Sequence, residues 1–328
     1  MRSTDYPFAG GSNALVSSQN HQLTNEKTLQ VTVRKAAMPS LSCLTVLLIV
    51  LAVTVSAAEG PTGVRIASEY WTTRQGTMVR VLVMKPPNPR AGVILLPGGH
   101  GNINLDSQGQ IGWGVDDFLI RTRANYAQAG FVVIVPDIAV DRKPPVKLGD
   151  YRRSELQAYD LRSISGRMRR MVETVSVVAY DRGAISALNM ATRGKMDLVS
   201  SLVLISPNLE SLQPNDAVLT DGARVALARI PVLMISHASD ECSASATNDL
   251  YGIASMITAR DFRAVSVTGG SERFRLQDPF GHYGDPCSKK APHVMSGLEV
   301  RVSSIVIEWL ENQALSNRSD VPVTLPGR

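Results

Sequence analysis

Four points along the chain combine residue types and spacing that could do chemistry, and each follows a short apolar run. The first is LLPGGHG, Leu95 to Gly101. Glycines after a buried strand let backbone N–H groups approach a ligand, as an oxyanion hole requires. They equally serve a turn that needs positive φ. The second is VSVVAYDRGAISALNMA, Val175 to Ala191, where an apolar stretch enters a helical one through Ala179, Tyr180, Asp181, Arg182 and Gly183. This has the shape of a strand–elbow–helix that presents a nucleophile, usually read Gly-x-Ser-x-Gly. Asp181 takes the nucleophile's slot, and it equally fits a helix N-cap, worth about 1 kcal/mol over Ala. The third is VLMISHASDEC, with Asp240 where the acid of a triad would sit. The fourth is DPCSKKAPH, which ends in His293, a candidate general base. His282 in PFGHYG is the alternative base. Nucleophile, acid and base then run in the chain order Asp181, Asp240, His293.

Other chemistries find less support. His237 and Asp240 lie three apart, but no third ligand is patterned nearby, so no metal is expected. No phosphate-type glycine loop opens a helix, so no nucleotide cofactor is expected either. Ser186 lies too far along its helix to replace a nucleophile at the elbow. The 34 Lys and Arg are interspersed with 29 Asp and Glu, for a net charge of +5. That mild balance points to no nucleic-acid partner. With 44% apolar and 19% charged residues, disorder and a polytopic membrane protein are excluded. Aromatics are 5% of the chain, which leaves no obvious stacking platform for sugars or bases.

Residues 1–58 read as an N-terminal extension and signal peptide. Positions 41–58, LSCLTVLLIVLAVTVSAA, carry no charge, follow Arg34 and Lys35, and close on small residues. The apolar stretch from Leu44 to Val55 is short for a membrane span, so cleavage and a secreted or periplasmic product are expected, with no membrane contact afterwards. Anchoring by residues 41–58 is the alternative. Removing 58 of the 328 residues leaves 270, the size of one domain over 59–328. Of the three Cys, Cys242 and Cys287 remain, and in an oxidising compartment a bridge between them would hold the Asp240 loop against the His293 loop.

The elements that must position these groups alternate. Strands are predicted over Val79–Met84 (an early edge strand), Gly92–Leu96, Phe131–Val135, Val175–Ala179, Leu202–Ile205, Val232–Ile235 and Ala264–Val267. Helices are predicted over Val115–Ala129, Ser154–Met171, Arg182–Arg193, Ser245–Ile257 and Leu298–Asn312. This is an α/β pattern with a mainly parallel sheet and helices on both faces.

Taken together, LLPGGHG, DDFLIRTRANYAQAGFVVIVPDIAVDR, AYDRGAISA, ASDEC and CSKKAPH make the chain resemble the α/β-hydrolase superfamily, and within it secreted bacterial hydrolases, from about Met78 to Leu310. The resemblance implies a triad of Asp181, Asp240 and His293, with an oxyanion hole and substrate contacts from Gly98, Gly99, His100 and Arg182. It also implies a hydrolase acting on an ester-like small substrate. The relatives carry Ser where this chain has Asp181. Two alternatives follow: a catalytically inactive hydrolase-fold binding protein, or Asp-nucleophile chemistry of the epoxide or haloalkane type. Enzymes of that type carry a cap domain, and the 24 residues from Pro207 to Ile230 leave no room for one.

Overall fold

The computed structural model describes residues 58–59, 63–142, 148–208, 229–242, 261–270, 286–287 and 291–319. The run expected to be a signal peptide, up to residue 57, the helix expected at 245–257, His282 and most of the interval between Pro207 and Ile230 lie outside them.

The apolar, β-branched runs become strands because they can be covered on both faces. The strands are β1 (Ala58–Glu59), β2 (Arg65–Arg74), β3 (Thr77–Lys85), β4 (Ala91–Leu96) and β5 (Phe131–Ala139). They continue as β6 (Val175–Tyr180), β7 (Ser201–Ile205), β8 (Val232–His237) and β9 (Phe262–Val267). All join one sheet in the order β1-β2-β3-β5-β4-β6-β7-β8-β9. The pairs β1/β2, β2/β3 and β3/β5 are antiparallel, and every pair from β5/β4 to β8/β9 is parallel. Val79–Met84 was expected at an edge, yet β3 is interior. The strand outside it, β2, mixes charged and apolar residues and buries only Trp71 fully, so its alternation is weak.

The helices are α1 (Phe118–Gln128), α2 (Leu148–Arg153), α3 (Glu155–Arg169), α4 (Gly183–Thr192) and α5 (Glu299–Ser319). Their starts are set by caps. Asp117 accepts from the amides of Leu119 and Ile120 at α1, and Ser154 accepts from Gln157 at α3. The sheet's two faces bury separate cores with the period of two that strands impose. Ile94, Leu96, Val177 and Ala179 face Leu161, Ile164, Met168 and Leu188 of α3 and α4. Val93, Leu95, Val178 and Ile205 face Phe118, Leu119, Val302 and Val306 of α1 and α5. No helix among the described residues is long and apolar enough to cross a membrane.

Strand order fixes where a site can form. The chain passes from β4 through α1 to β5 on one side, then through α2 and α3 to β6 on the other. The carboxyl ends of β4 and β6 therefore open side by side at a topological switch point, the crevice where open α/β sheets bind ligands.

Candidate active site

The turn after β6 is built around a close approach. A Cβ on Gly183 would run into the carbonyl oxygen of Leu96, so α4 can start against β4 only with glycine there. Asp181 adopts φ +47°, a left-handed geometry that costs an L-residue roughly 1–2 kcal/mol. It is pinned on three sides: its amide donates to Ile205 O (3.1 Å), and its carbonyl accepts from Ala184 N and Asn208 N (both 3.1 Å). This geometry decides between the two readings of the residue. The N-cap of α4 is Arg182, without a side-chain cap bond, and the Asp181 carboxylate turns away toward the glycine loop.

Asp181 Oδ2 accepts from the amide of Gly99 at 2.9 Å, and Oδ1 lies 3.7 Å from His293 Nε2, an ion-pair distance longer than a hydrogen bond. On the other edge of the ring, His293 Nδ1 is 3.0 Å from Asp240 Oδ2, and Asp240 Oδ1 accepts from Cys242 N at 3.0 Å. His293 sits in a short 3-10 turn (Pro292–Val294) ended by Met295 in a left-handed conformation (φ 54°). Its ring lies 5.9 Å from that of Tyr180. Asp240 and His293 are buried, and Asp181 keeps 17% of its side chain exposed, so the row opens to solvent at Asp181. Asp181, His293 and Asp240 are thus brought together in one line.

The four residues expected around them divide. The amides of Gly99 and Arg182 both face the Asp181 carboxylate. Gly98 does not serve there: its amide donates to Asp117 Oδ2 at 2.7 Å. A Cβ at Gly98 would stand 2.6 Å from Asp181 Oδ2, so the site needs glycine at this position for space. His100 is exposed, with its ring 5.5 Å from the Trp113 ring, and the Arg182 side chain is exposed.

Two further groups complete the site without having been foreseen. Asp117 caps α1 and holds Gly98, and its position before FLI is the signal that could have found it as a cap. Arg152, on α2, is buried and donates to the carbonyls of Pro97 (2.7 Å), Gly98 (2.9 Å) and Gly99 (3.1 Å), and to Ser186 Oγ (2.8 Å). By holding the carbonyls of the glycine loop, it turns the Gly99 amide toward Asp181. A polar segment with no apolar period gave no sign of a buried arginine. Ser186 is thereby a buried acceptor for Arg152.

The charges follow from these contacts. Burial by itself would raise the Asp181 pKa, but His293 and the Gly99 and Arg182 amides outweigh it and hold the carboxyl below its ordinary value. Burial would lower the His293 pKa, but its two carboxylate partners push it up to about 9. Asp117 is pushed up to about 6 by burial, against the amides of Gly98, Ile120 and Leu119. Arg152 is brought down to about 10 by burial, tempered by Asp181 and Asp117. At neutral pH His293 therefore rests as an imidazolium facing the Asp181 carboxylate.

Cys242 and Cys287 form a disulfide. His237 spends both ring nitrogens on backbone: Nδ1 accepts from Ser239 N (3.0 Å) and Nε2 meets Gly269 O (2.9 Å). Among the described residues no three His, Cys, Asp or Glu cluster as metal ligands would.

Sheet order, helix placement and the elbow after β6 define an α/β-hydrolase fold, and solved structures with that fold match the chain. No protein-family model matches it, and no curated protein matches it in sequence. DcsB, solved with a substrate analogue, is 13% identical, covering 76% of this chain and 99% of its own, with a TM-score of 0.52. The dienelactone hydrolase-like promiscuous phosphotriesterase P91, from metagenomic libraries, is 15% identical, covering 76% and 98%, with a TM-score of 0.50. An esterase of Pyrococcus furiosus is 11% identical, covering 76% and 91%, with a TM-score of 0.52. At these identities the likeness is one of fold.

Proposed function

We propose that this chain is an exported hydrolase of small ester-like substrates in which Asp181 is the nucleophile and attacks an alkyl carbon. The observation that carries this is the Gly99 amide lying 2.9 Å from Asp181 Oδ2. In acyl transfer such amides receive the substrate's carbonyl oxygen. Here they already hold the protein's own carboxylate, and Gly98 is engaged by Asp117. Chemistry in which the protein supplies the acyl group fits that occupancy.

The cycle balances in two steps. Asp181 Oδ1 forms a bond to the alkyl carbon as the bond from that carbon to the leaving group breaks, and the leaving group departs with the electron pair. Asp181 is now a neutral ester whose carbonyl oxygen, Oδ2, remains on the Gly99 amide. His293 thereby loses one of the two carboxylates that raise its pKa and releases its proton to solvent. The neutral imidazole, oriented by Asp240, takes a proton from water as that water attacks the ester carbonyl carbon. Alcohol leaves, and carboxylate and imidazolium are restored. Alkyl halides and alkyl esters of strong acids are the electrophiles this accepts, and so are epoxides, whose ring-opened oxygen stays on the substrate and takes the proton that His293 releases. The ester-like class is carried over from fold neighbours described as esterase and phosphotriesterase. Export is supported by the uncharged run at 41–58 and by the disulfide.

The test is a single turnover of such a panel in heavy-oxygen water. One heavy oxygen should enter the peptide containing Asp181, Asp181→Ala should abolish turnover, and His293→Gln should accumulate an alkyl adduct on Asp181. Turnover that leaves Asp181 unlabelled would reject the reading. A second reading, a binding protein without turnover, is favoured by the ion pair of Asp181 Oδ1 with His293 Nε2 at 3.7 Å, which stands where the relatives have a Ser–His pair. Absence of turnover on the whole panel, with p-nitrophenyl esterase activity appearing in Asp181→Ser, selects it.

A further inference from the structure

One large aromatic side chain stands exposed on the segment between the glycine loop and α1. Of the chain's three Trp, Trp71 and Trp309 are buried, at 1% and 5% exposure, whereas Trp113 is 54% exposed. Exposing an indole forgoes the burial that its large apolar area would otherwise gain. The exposure is not a loose end, because the segment carrying Trp113 is pinned. Its amide donates to Ile103 O (3.0 Å), and Leu105 bridges Ile111. The amides of Ile103 and Leu105 both donate to the Asp137 carboxylate (3.0 Å each).

The pinned segment sets the indole beside the residue that follows the glycine loop. Its ring lies 5.5 Å from that of His100 at an interplanar angle of 50°. His100 follows directly on Gly99, whose amide is on Asp181. The carbonyl of the next residue, Gly114, accepts from the amide of Asp117 (2.9 Å), whose side chain holds Gly98. A tilted pair at this spacing does not stack face to face, so an indole face remains for a third ring.

We infer that Trp113 and His100 form a subsite for a planar aromatic ring, the aryl or benzylic part of a small substrate whose reactive carbon meets Asp181. This deepens, and rests on, the reading of Asp181 as the place where substrate reacts. Indole presents an electron-rich face, so electron-poor rings should bind best. The low aromatic content of the chain is thus no bar to stacking, since one fixed indole suffices.

The test is saturation-transfer NMR on the full chain with 4-nitrobenzyl alcohol, which has no leaving group and so reports binding without turnover. Transfer to the ring protons is expected in the wild type and in Asp181→Ala alike. Affinity should fall about fivefold in Trp113→Ala and stay near wild type in Trp113→Phe. Cyclohexylmethanol should bind more weakly than the nitroaryl alcohol. Unchanged affinity in a folded Trp113→Ala, or equal affinity for the saturated alcohol, overturns the subsite. Should Trp113→Ala not fold, wild-type emission decides. Its solvent-accessible part comes from Trp113, so the nitroaryl alcohol must quench it saturably, and strictly linear quenching overturns the subsite. Absence of heavy oxygen in Asp181 leaves these binding results unmoved, so the two readings fail separately.

Discussion

At the scale of single residues, His293 carries the most linked chemistry, because its two ring nitrogens face two carboxylates 3.0 and 3.7 Å away. Its folded-state pKa of about 9 stands above the ordinary 6.5. The sign follows from linkage: the folded state binds the proton more tightly than the unfolded chain. The resulting stabilisation is fully present below pH 6.5 and is lost as pH rises through about 9, on the order of 3 kcal/mol in all. Asp117 acts in a lower window. Its pKa is raised from 3.8 to about 6, so its contribution is present at acid pH and lost as pH rises through about 6. Urea unfolding from pH 6 to 10 should therefore show stability falling from about pH 6.5 and levelling off above about 9 in the wild type. His293→Gln should lack that step. A step of the same size in the variant would assign it to another group.

At the scale of elements, two glycines show how packing decides the effect of one methyl group. Gly183 opens α4 against the Leu96 carbonyl, a backbone atom that cannot rotate aside. Gly166 lies inside α3, where a Cβ would meet only the tip of Leu198 at 3.3 Å. Gly183→Ala should cost about 2–3 kcal/mol and displace the elbow. Gly166→Ala should be neutral or gain up to about 1 kcal/mol from helix propensity. Thermal unfolding of the pair checks this, and equal shifts would refute the close-approach argument. The same contrast explains what could be read from sequence. The parallel strands were legible because burial on both faces forces continuous apolar runs such as Val175–Tyr180. β2 was not, since a half-covered strand keeps Glu69 and Arg65 on it. α2 was not either, because its role is to deliver Arg152 to three carbonyls, and a buried cation leaves no hydrophobic period. Asp181 was legible as a position, but its choice between helix cap and site group depended on Gly99, which is distant in sequence.

At the scale of the whole molecule, the Cys242–Cys287 bridge joins two loops that the sheet alone leaves at the ends of separate connections. It spans 45 residues of chain. In the chain-entropy account, closing a loop of that length stabilises the fold by about 4 kcal/mol. The bridge is also coupled to the site, for the amide of Cys242 holds Asp240 Oδ1 at 3.0 Å, and the opposite oxygen of that carboxylate faces His293. Replacing both cysteines by serine should therefore do two things. Stability by urea unfolding should fall by up to about 4 kcal/mol at every pH. The alkaline loss between pH 6.5 and about 9 should also shrink, because a loosened Asp240 holds the imidazolium less firmly. A uniform loss with the alkaline step intact would mean that the bridge only restricts the unfolded chain. A reduced step would mean that it also holds the acid against the base, so that in a reducing compartment His293 would lose part of the charge pairing that defines its resting state.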